Sequence, residues 1–251
     1  TVAAFYECDK LGLTPLVEWT NSIYKDVRYG NNVWDYYFEP ICVDSLNKIN
    51  MEQNREWKRE SFTRERMSSM IKKYVIVKPH IKKKIDSFWE DNFSNNNVLG
   101  VHLRLTDKLN CTAHGEPISG LPVQLDYYIK HIHKYLNKEN NSKIFLATDS
   151  LDGLDRLKHE FGDSLVYRED VIRSSGYKSV HHDLVGDNYK KGEDVLIDCL
   201  LLSKSNFLFK GISCVALAAL FFNDNLDHFN LNEYYNNDKR ESFIKTNLTY
   251  V

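Results

Sequence analysis

The chain has 251 residues, 42% of them hydrophobic and 13% aromatic, which is enough apolar material for a packed core and excludes bulk disorder. Thirty-three Lys and Arg against thirty-five Asp and Glu leave a net charge of -2, so no strong field favours a polyanion, and nucleic acid is disfavoured as a partner. No apolar run reaches the ~20 residues of a membrane-spanning helix, and the five cysteines (Cys8, Cys42, Cys111, Cys199, Cys214) are far apart without a CxxC, which reads as buried free thiols.

In chain order, Val2 to Tyr6 opens inside an apolar pattern that predicts a helix ending near Leu11-Gly12 and continuing from an upstream segment. Pro15 to Trp19 is predicted as a strand, and Val33 to Pro40 is an aromatic segment. Glu52 to Lys73 reads as a long charged helix, broken at Lys78-Pro79 ahead of a helix from His80 to Phe93. From about Asn97 the rhythm becomes regular. Strands are expected at Val98–Leu105, Lys143–Asp149, Ser164–Tyr167 and Asn206–Lys210. Helices are expected at Asp126–Lys138, Leu151–Phe161 and Glu193–Ser203, with another opened by Ser213 and running from Val215 to Phe222. Strand alternating with helix means βαβ units and a parallel sheet covered on both faces. Three parts follow: 1–95, a smaller α/β domain read as truncated; 96–235, a Rossmann-like domain; and 236–251, a tail packing back on the first part. The polar stretch Phe93 to Asn97 is the expected seam.

Ligands of an open parallel sheet bind beyond the carboxyl ends of its strands, where helix N-termini accept phosphate. The loops at those ends carry His102 to Lys108, Ala147 to Asp149, Glu169 to Lys191 and Gly211 to Ser213. None contains GxGxxG or GxxxxGK[ST], which disfavours a nicotinamide cofactor and a P-loop. His102 and Arg104 alternate with apolar residues, so both point to one side of the strand. A guanidinium there suits a diphosphate, because its fork bonds two oxygens at once. An interdomain ion pair for Arg104, a core histidine for His102 and solvated loop charges for Asp107 and Lys108 are the competing readings. His181-His182 does not read as a metal pair, since adjacent side chains diverge. The loop that holds them is expected to act as a lid.

Gly100-Val101-His102-Leu103-Arg104-Leu105-Thr106-Asp107-Lys108 resembles the GVHxRRTDK motif of the α1,6-fucosyltransferase family, which includes core and nodulation fucosyltransferases. The likeness continues in Val77-Lys78-Pro79-His80, in Ile144 to Asp149 and in Val195 to Asp198 through Phe207-Leu208 and Ser213. The resemblance implies a GT-B fold of two Rossmann-like domains facing each other, the first smaller. It also implies an inverting, metal-independent transfer of L-fucose from GDP-fucose to a glycan acceptor, with no further cofactor. Carried over, Arg104 would hold the β-phosphate and His102 would contact the nucleotide. Asp198 would accept from the guanine edge, and Ser213 would bond phosphate at a helix N-terminus. Asp107, Lys108 and Asp149 would line the donor site, while Glu116, or else His114, would be the catalytic base. An acid inside so apolar a helix as that of Asp198 needs a partner in any case. For Ser213 a plain helix cap is the competing role. The chain departs from the family at Leu105, where the motif has a second arginine, and at Cys214 and Val215, where it has serine and glutamine. The family glutamate after TDK falls on Thr112 without a gap. Two alternatives stay open: another nucleotide sugar such as UDP-xylose, or a non-catalytic nucleotide- or glycan-binding homologue.

Overall fold

The computed structural model describes residues 1–41, 63–106, 123–176, 178–181 and 186–233, together with the backbone of 112–113 and 116–117. Seven strands lie among these residues: β1 (Asn97–Leu103), β2 (Thr112–Ala113), β3 (Glu116–Pro117), β4 (Ser142–Thr148), β5 (Leu165–Tyr167), β6 (Phe207–Lys210) and β7 (Asp227–Asn230). Five form one all-parallel sheet in the order β5-β4-β1-β6-β7, and β2 and β3 form a short antiparallel hairpin. The chain starts at the centre, runs outward through β4 and β5, then crosses back to β6 and β7. The strand order therefore reverses between β1 and β6, the point where such sheets open a crevice at their carboxyl edge.

Alternation along the strands builds both faces. Leu99, Val101 and Leu103 join Ile144, Leu146 and Phe209 under α5 (Leu125–Leu136) and α6 (Leu151–Phe161). Val98, Phe145, Ala147 and Leu208 face the other way, under α7 (Asn188–Lys204) and α8 (Cys214–Phe222). Gly100 sits on this second face because the end of α7 comes close: a methyl there would stand 2.6 Å from the Ser205 hydroxyl oxygen.

The first part adds α1 (Val2–Lys10), α2 (Trp34–Tyr37), α3 (Arg64–Tyr74) and α4 (Pro79–Phe93). Pro79 occupies the first turn of α4, where its missing N–H leaves no bond unmade. Phe5, Trp34, Tyr37, Met70, Ile81 and Phe93 belong to the same apolar cluster as Phe145 and Leu208 on the sheet, so the two parts share one core.

The sequence expectations fail at four places. Pro15 to Trp19 is not a strand; the Asn32 side chain takes the partner's role, accepting from Trp19 N at 2.8 Å and donating to the Val17 carbonyl at 2.8 Å. Helix α7 begins at Asn188 rather than Glu193, because Asp187 caps it by accepting from Lys190 N at 3.2 Å, and its polar first turns carry no apolar stripe to find. Strand β7 had no sequence signal, since Asp227, His228 and Asn230 are poor strand formers. Arg64 anchors the turn before it, donating to the carbonyls of Leu220, Asn223 and Leu226 at 3.1, 2.7 and 2.7 Å. Of the cysteines, Cys8 and Cys199 are buried as expected and Cys214 is exposed. The N-terminal portion of the expected helix Glu52 to Lys73, Cys42, Cys111, and the tail 236–251 lie outside the described residues.

Candidate functional site

At the carboxyl edge of the sheet a crevice of about 590 Å³, counted out to its open mouth, is lined by the ends of β1 and β4, by Val171, Ile172, Val180 and His181, and by one face of α7. His102, Arg104, Asp149 and Asp198, which lie far apart in the chain, meet on its walls. The segment after β5 is held there by backbone bonds, Ser174 N to the Asp149 carbonyl and Leu151 N to the Ser174 carbonyl, each at 2.9 Å.

Asp149 is fixed before any ligand arrives. One carboxylate oxygen accepts from Leu105 N at 3.1 Å and the other from the Thr106 hydroxyl at 2.5 Å. Arg104, just past the end of β1, keeps its Nε 3.9 Å from the second oxygen, a loose pairing that leaves the guanidinium in the crevice wall. His102 is 7% exposed, and its Nδ1 is buried with no hydrogen-bond partner among the described residues. Burial first, then the charges of Arg104 and Lys210, lower its pKa to about 4, so the imidazole is neutral. A buried, unpartnered ring nitrogen on a crevice wall is a group that a ligand satisfies.

Asp198 has the partner that its apolar helix demanded. Arg168, directly after β5, donates from Nη1 to its Oδ1 at 3.4 Å and from Nη2 to Asp194 Oδ1 at 2.6 Å. Burial still raises the Asp198 carboxyl to about 6, although Arg168 and Arg173 pull the other way. Tyr24 Oη lies 3.3 Å from Nδ1 of His181, a lining residue, which ties the first part of the chain to the crevice.

Ser213 caps α8, its hydroxyl accepting from Val215 N at 3.2 Å, and it is Val215 rather than Ser213 that lines the crevice. Asp107, Lys108, His114 and His182 lie outside the described residues, and Glu116 is placed only by its backbone, opposite Ala113 in the β2–β3 hairpin. Sequence reasoning did not single out Arg168, Asp194 or Lys191, and it named His181 only as part of the loop expected to act as a lid. Asp194 was within reach, because it precedes Asp198 by one helical turn and so shares its face. Arg168 carried no local signal: it stands alone after a three-residue strand and acquires its role by folding next to α7. Among the described residues no three His, Cys, Asp or Glu side chains cluster as a metal site.

A model of the family Nodulation protein Z (NodZ) matches residues 57–237. Among solved structures, NodZ α-1,6-fucosyltransferase soaked with GDP-fucose has a TM-score of 0.57 at 16% identity, over 88% of this chain and 86% of its own. Fucosyltransferase NodZ from Bradyrhizobium gives 0.56 at 15% identity, over 88% and 85%. The NodZ enzyme co-crystallised with GDP gives 0.56 at 16%, over 88% and 85%. At these identities the solved structures speak for the α/β, Rossmann-like fold.

Proposed function

The chain belongs to the Nodulation protein Z family and is a glycosyltransferase of the fucosyltransferase type, and from this we propose that it moves L-fucose from GDP-fucose to a hydroxyl of a glycan acceptor, with inversion and without a metal ion. The observation that carries the reading is the convergence of His102, Arg104, Asp149 and Asp198 on one crevice at the carboxyl edge of the sheet. Support for the donor comes from the NodZ enzyme, whose crystals take GDP-fucose and GDP.

In this reading the guanine lies against α7, where Asp198 accepts from its N1–H and N2–H, and the neutral His102 meets the nucleotide with its open nitrogen. The pyrophosphate runs toward Arg104. The acceptor oxygen attacks the fucose anomeric carbon from the face opposite GDP; the bond from that carbon to the β-phosphate oxygen breaks, and its electrons leave on GDP. Arg104 stabilises the charge that develops there, with Asp149 holding the loop that presents it. The dipole of α8 behind Ser213 and the Lys108 ammonium add to that field. The acceptor proton passes to Glu116, with His114 as the second choice. We assign the acceptor to the part spanning 1–95, which reaches the crevice through Tyr24.

The test is transfer of fucose from GDP-fucose to oligosaccharide acceptors by the purified chain. Arg104→Ala is expected to lower kcat roughly a hundredfold or more; near-normal turnover would remove the phosphate assignment. Binding of GDP without transfer or hydrolysis would instead favour a non-catalytic homologue, and a preference for UDP would change the donor. Glu116→Gln should abolish turnover. If it stays active while His114→Ala is dead, the two exchange roles.

A further inference from the structure

Behind the crevice lies a second layer of charge that the reaction as described does not use. Arg168 is 6% exposed and is not part of the crevice wall. Its Nη2 bonds Asp194 Oδ1 at 2.6 Å and Asp170 Oδ2 at 3.0 Å, while its Nη1 bonds Asp198 Oδ1 at 3.4 Å and the Asp194 carbonyl at 3.3 Å. Lys190 closes the group from one turn before Asp194, bonding Asp194 and also Asp170 at 2.7 Å. Arg173 ties the same strand end to the crevice wall, donating to the carbonyls of Arg168 at 2.7 Å and Val171 at 3.2 Å.

This arrangement treats the two ends of the Asp198 carboxylate differently. Among the described residues Arg168 engages Oδ1 alone, and Asp198 itself lines the crevice. A carboxylate on a helix turns easily about its last torsion. A rigid guanidinium, itself locked to Asp194 and Asp170, restrains that torsion from behind. Two parallel N–H groups on a planar ring are met well only by a carboxylate whose plane is fixed, because hydrogen bonds weaken steeply when misaligned.

We propose that Arg168 is the positioning residue for the donor nucleobase: by pinning Asp198 from the protein side it sets the orientation of that carboxylate toward the guanine edge, and with it the selectivity of the site for guanine. The proposal rests on the reading of the crevice as a GDP-sugar site. Arg168 never touches the donor, so its signature is a ratio of affinities rather than a loss of affinity.

The experiment compares GDP with inosine diphosphate, which lacks the 2-amino group and therefore one of the two N–H donors, by calorimetric titration of the full chain. The wild type is expected to prefer GDP by about tenfold or more, as befits a hydrogen bond to a charged group. Asp198→Asn should bring that ratio close to one, and Arg168→Gln should bring it to nearly the same value, although no contact to the ligand has been removed. General damage to the fold weakens both nucleotides alike and leaves the ratio unchanged. A wild-type ratio in folded Arg168→Gln overturns the proposal. Should that variant fail to fold, Arg168→Lys keeps the charge but loses the planar fork; it should lose most of the preference, and an unchanged ratio there overturns the proposal equally. If the wild type itself distinguishes GDP neither from inosine diphosphate nor from UDP, the underlying site reading fails instead.

Discussion

The Asp198 carboxylate is asked to be charged in a place that resists charge. Burial pushes its pKa up to about 6, while Arg168 and Arg173 hold it down and Asp194 pushes it up again. Only the ionised form accepts both guanine N–H groups, so the affinity for GDP-fucose should be constant above that value. Below it, protonation should cost roughly tenfold per pH unit. His102 is lowered to about 4 and stays neutral across this window, which assigns the step to Asp198. GDP-fucose is the ligand to use, because its pyrophosphate diester does not titrate there. Titrations across this range should show one step in the wild type and none in Asp198→Asn; a flat wild-type profile would falsify the assignment. Stability tells a second story at the same residues. Replacing Arg168 with Met takes the guanidinium from both acids, leaving Asp198 without that partner and the buried Asp194 with Lys190 alone, a change expected to destabilise the fold by about 3 kcal/mol. A chemical denaturation midpoint equal to that of the wild type would contradict that expectation.

Between elements, close approach decides which residues are tolerated. Helix α7 passes so near α2 that a methyl at Gly192 would fall on the Tyr37 hydroxyl, which itself donates to the Tyr189 carbonyl at 2.9 Å. Gly192→Ala should therefore cost about 1–3 kcal/mol through overpacking. Combining it with Tyr37→Phe should recover part of that loss, because the nearest clashing atom is gone while Tyr37 Cζ and Tyr24 Cγ stay at 2.9 and 3.0 Å. If the two changes are merely additive in thermal melts, the contact does not limit the packing. The same helix also carries Asp194 and Asp198, so its seating against α2 bears on the crevice as well as on stability. The pattern of α7 explains why its start escaped sequence reading. The apolar run begins at Val195, whereas Asn188 to Asp194 carry no apolar stripe, and of these Lys191, Gly192, Glu193 and Asp194 become buried, packed by Tyr37 and bonded by Lys84 and Arg168. Helix α6, by contrast, shows an apolar stripe from its first turn and is found from Leu151 to Phe161, as its spacing predicts.

At the scale of the whole molecule, a single apolar cluster runs from Phe5 through Trp34, Ile81 and Phe93 into Phe145 and Leu208. The sheet is thus covered on one face partly by helices of the first ninety residues, and a chain starting at Ser94 should lose its cooperative melt and near-ultraviolet signal. A native-like transition in that fragment would mean that α7 and α8 suffice as a cover. The sequence by itself determined the βαβ rhythm, the sheet faces and the strand-end positions of His102, Arg104 and Asp149. All of these follow from residue periodicity and from the rule that parallel strands present ligands at their carboxyl ends. Only the tertiary structure decided that β7 pairs at all, that Asn32 replaces a strand partner for Pro15 to Trp19, and that Arg168 stands behind Asp198. Each depends on groups distant in the chain, whose hydrogen bonds and charges are satisfied only once the backbone has brought them together.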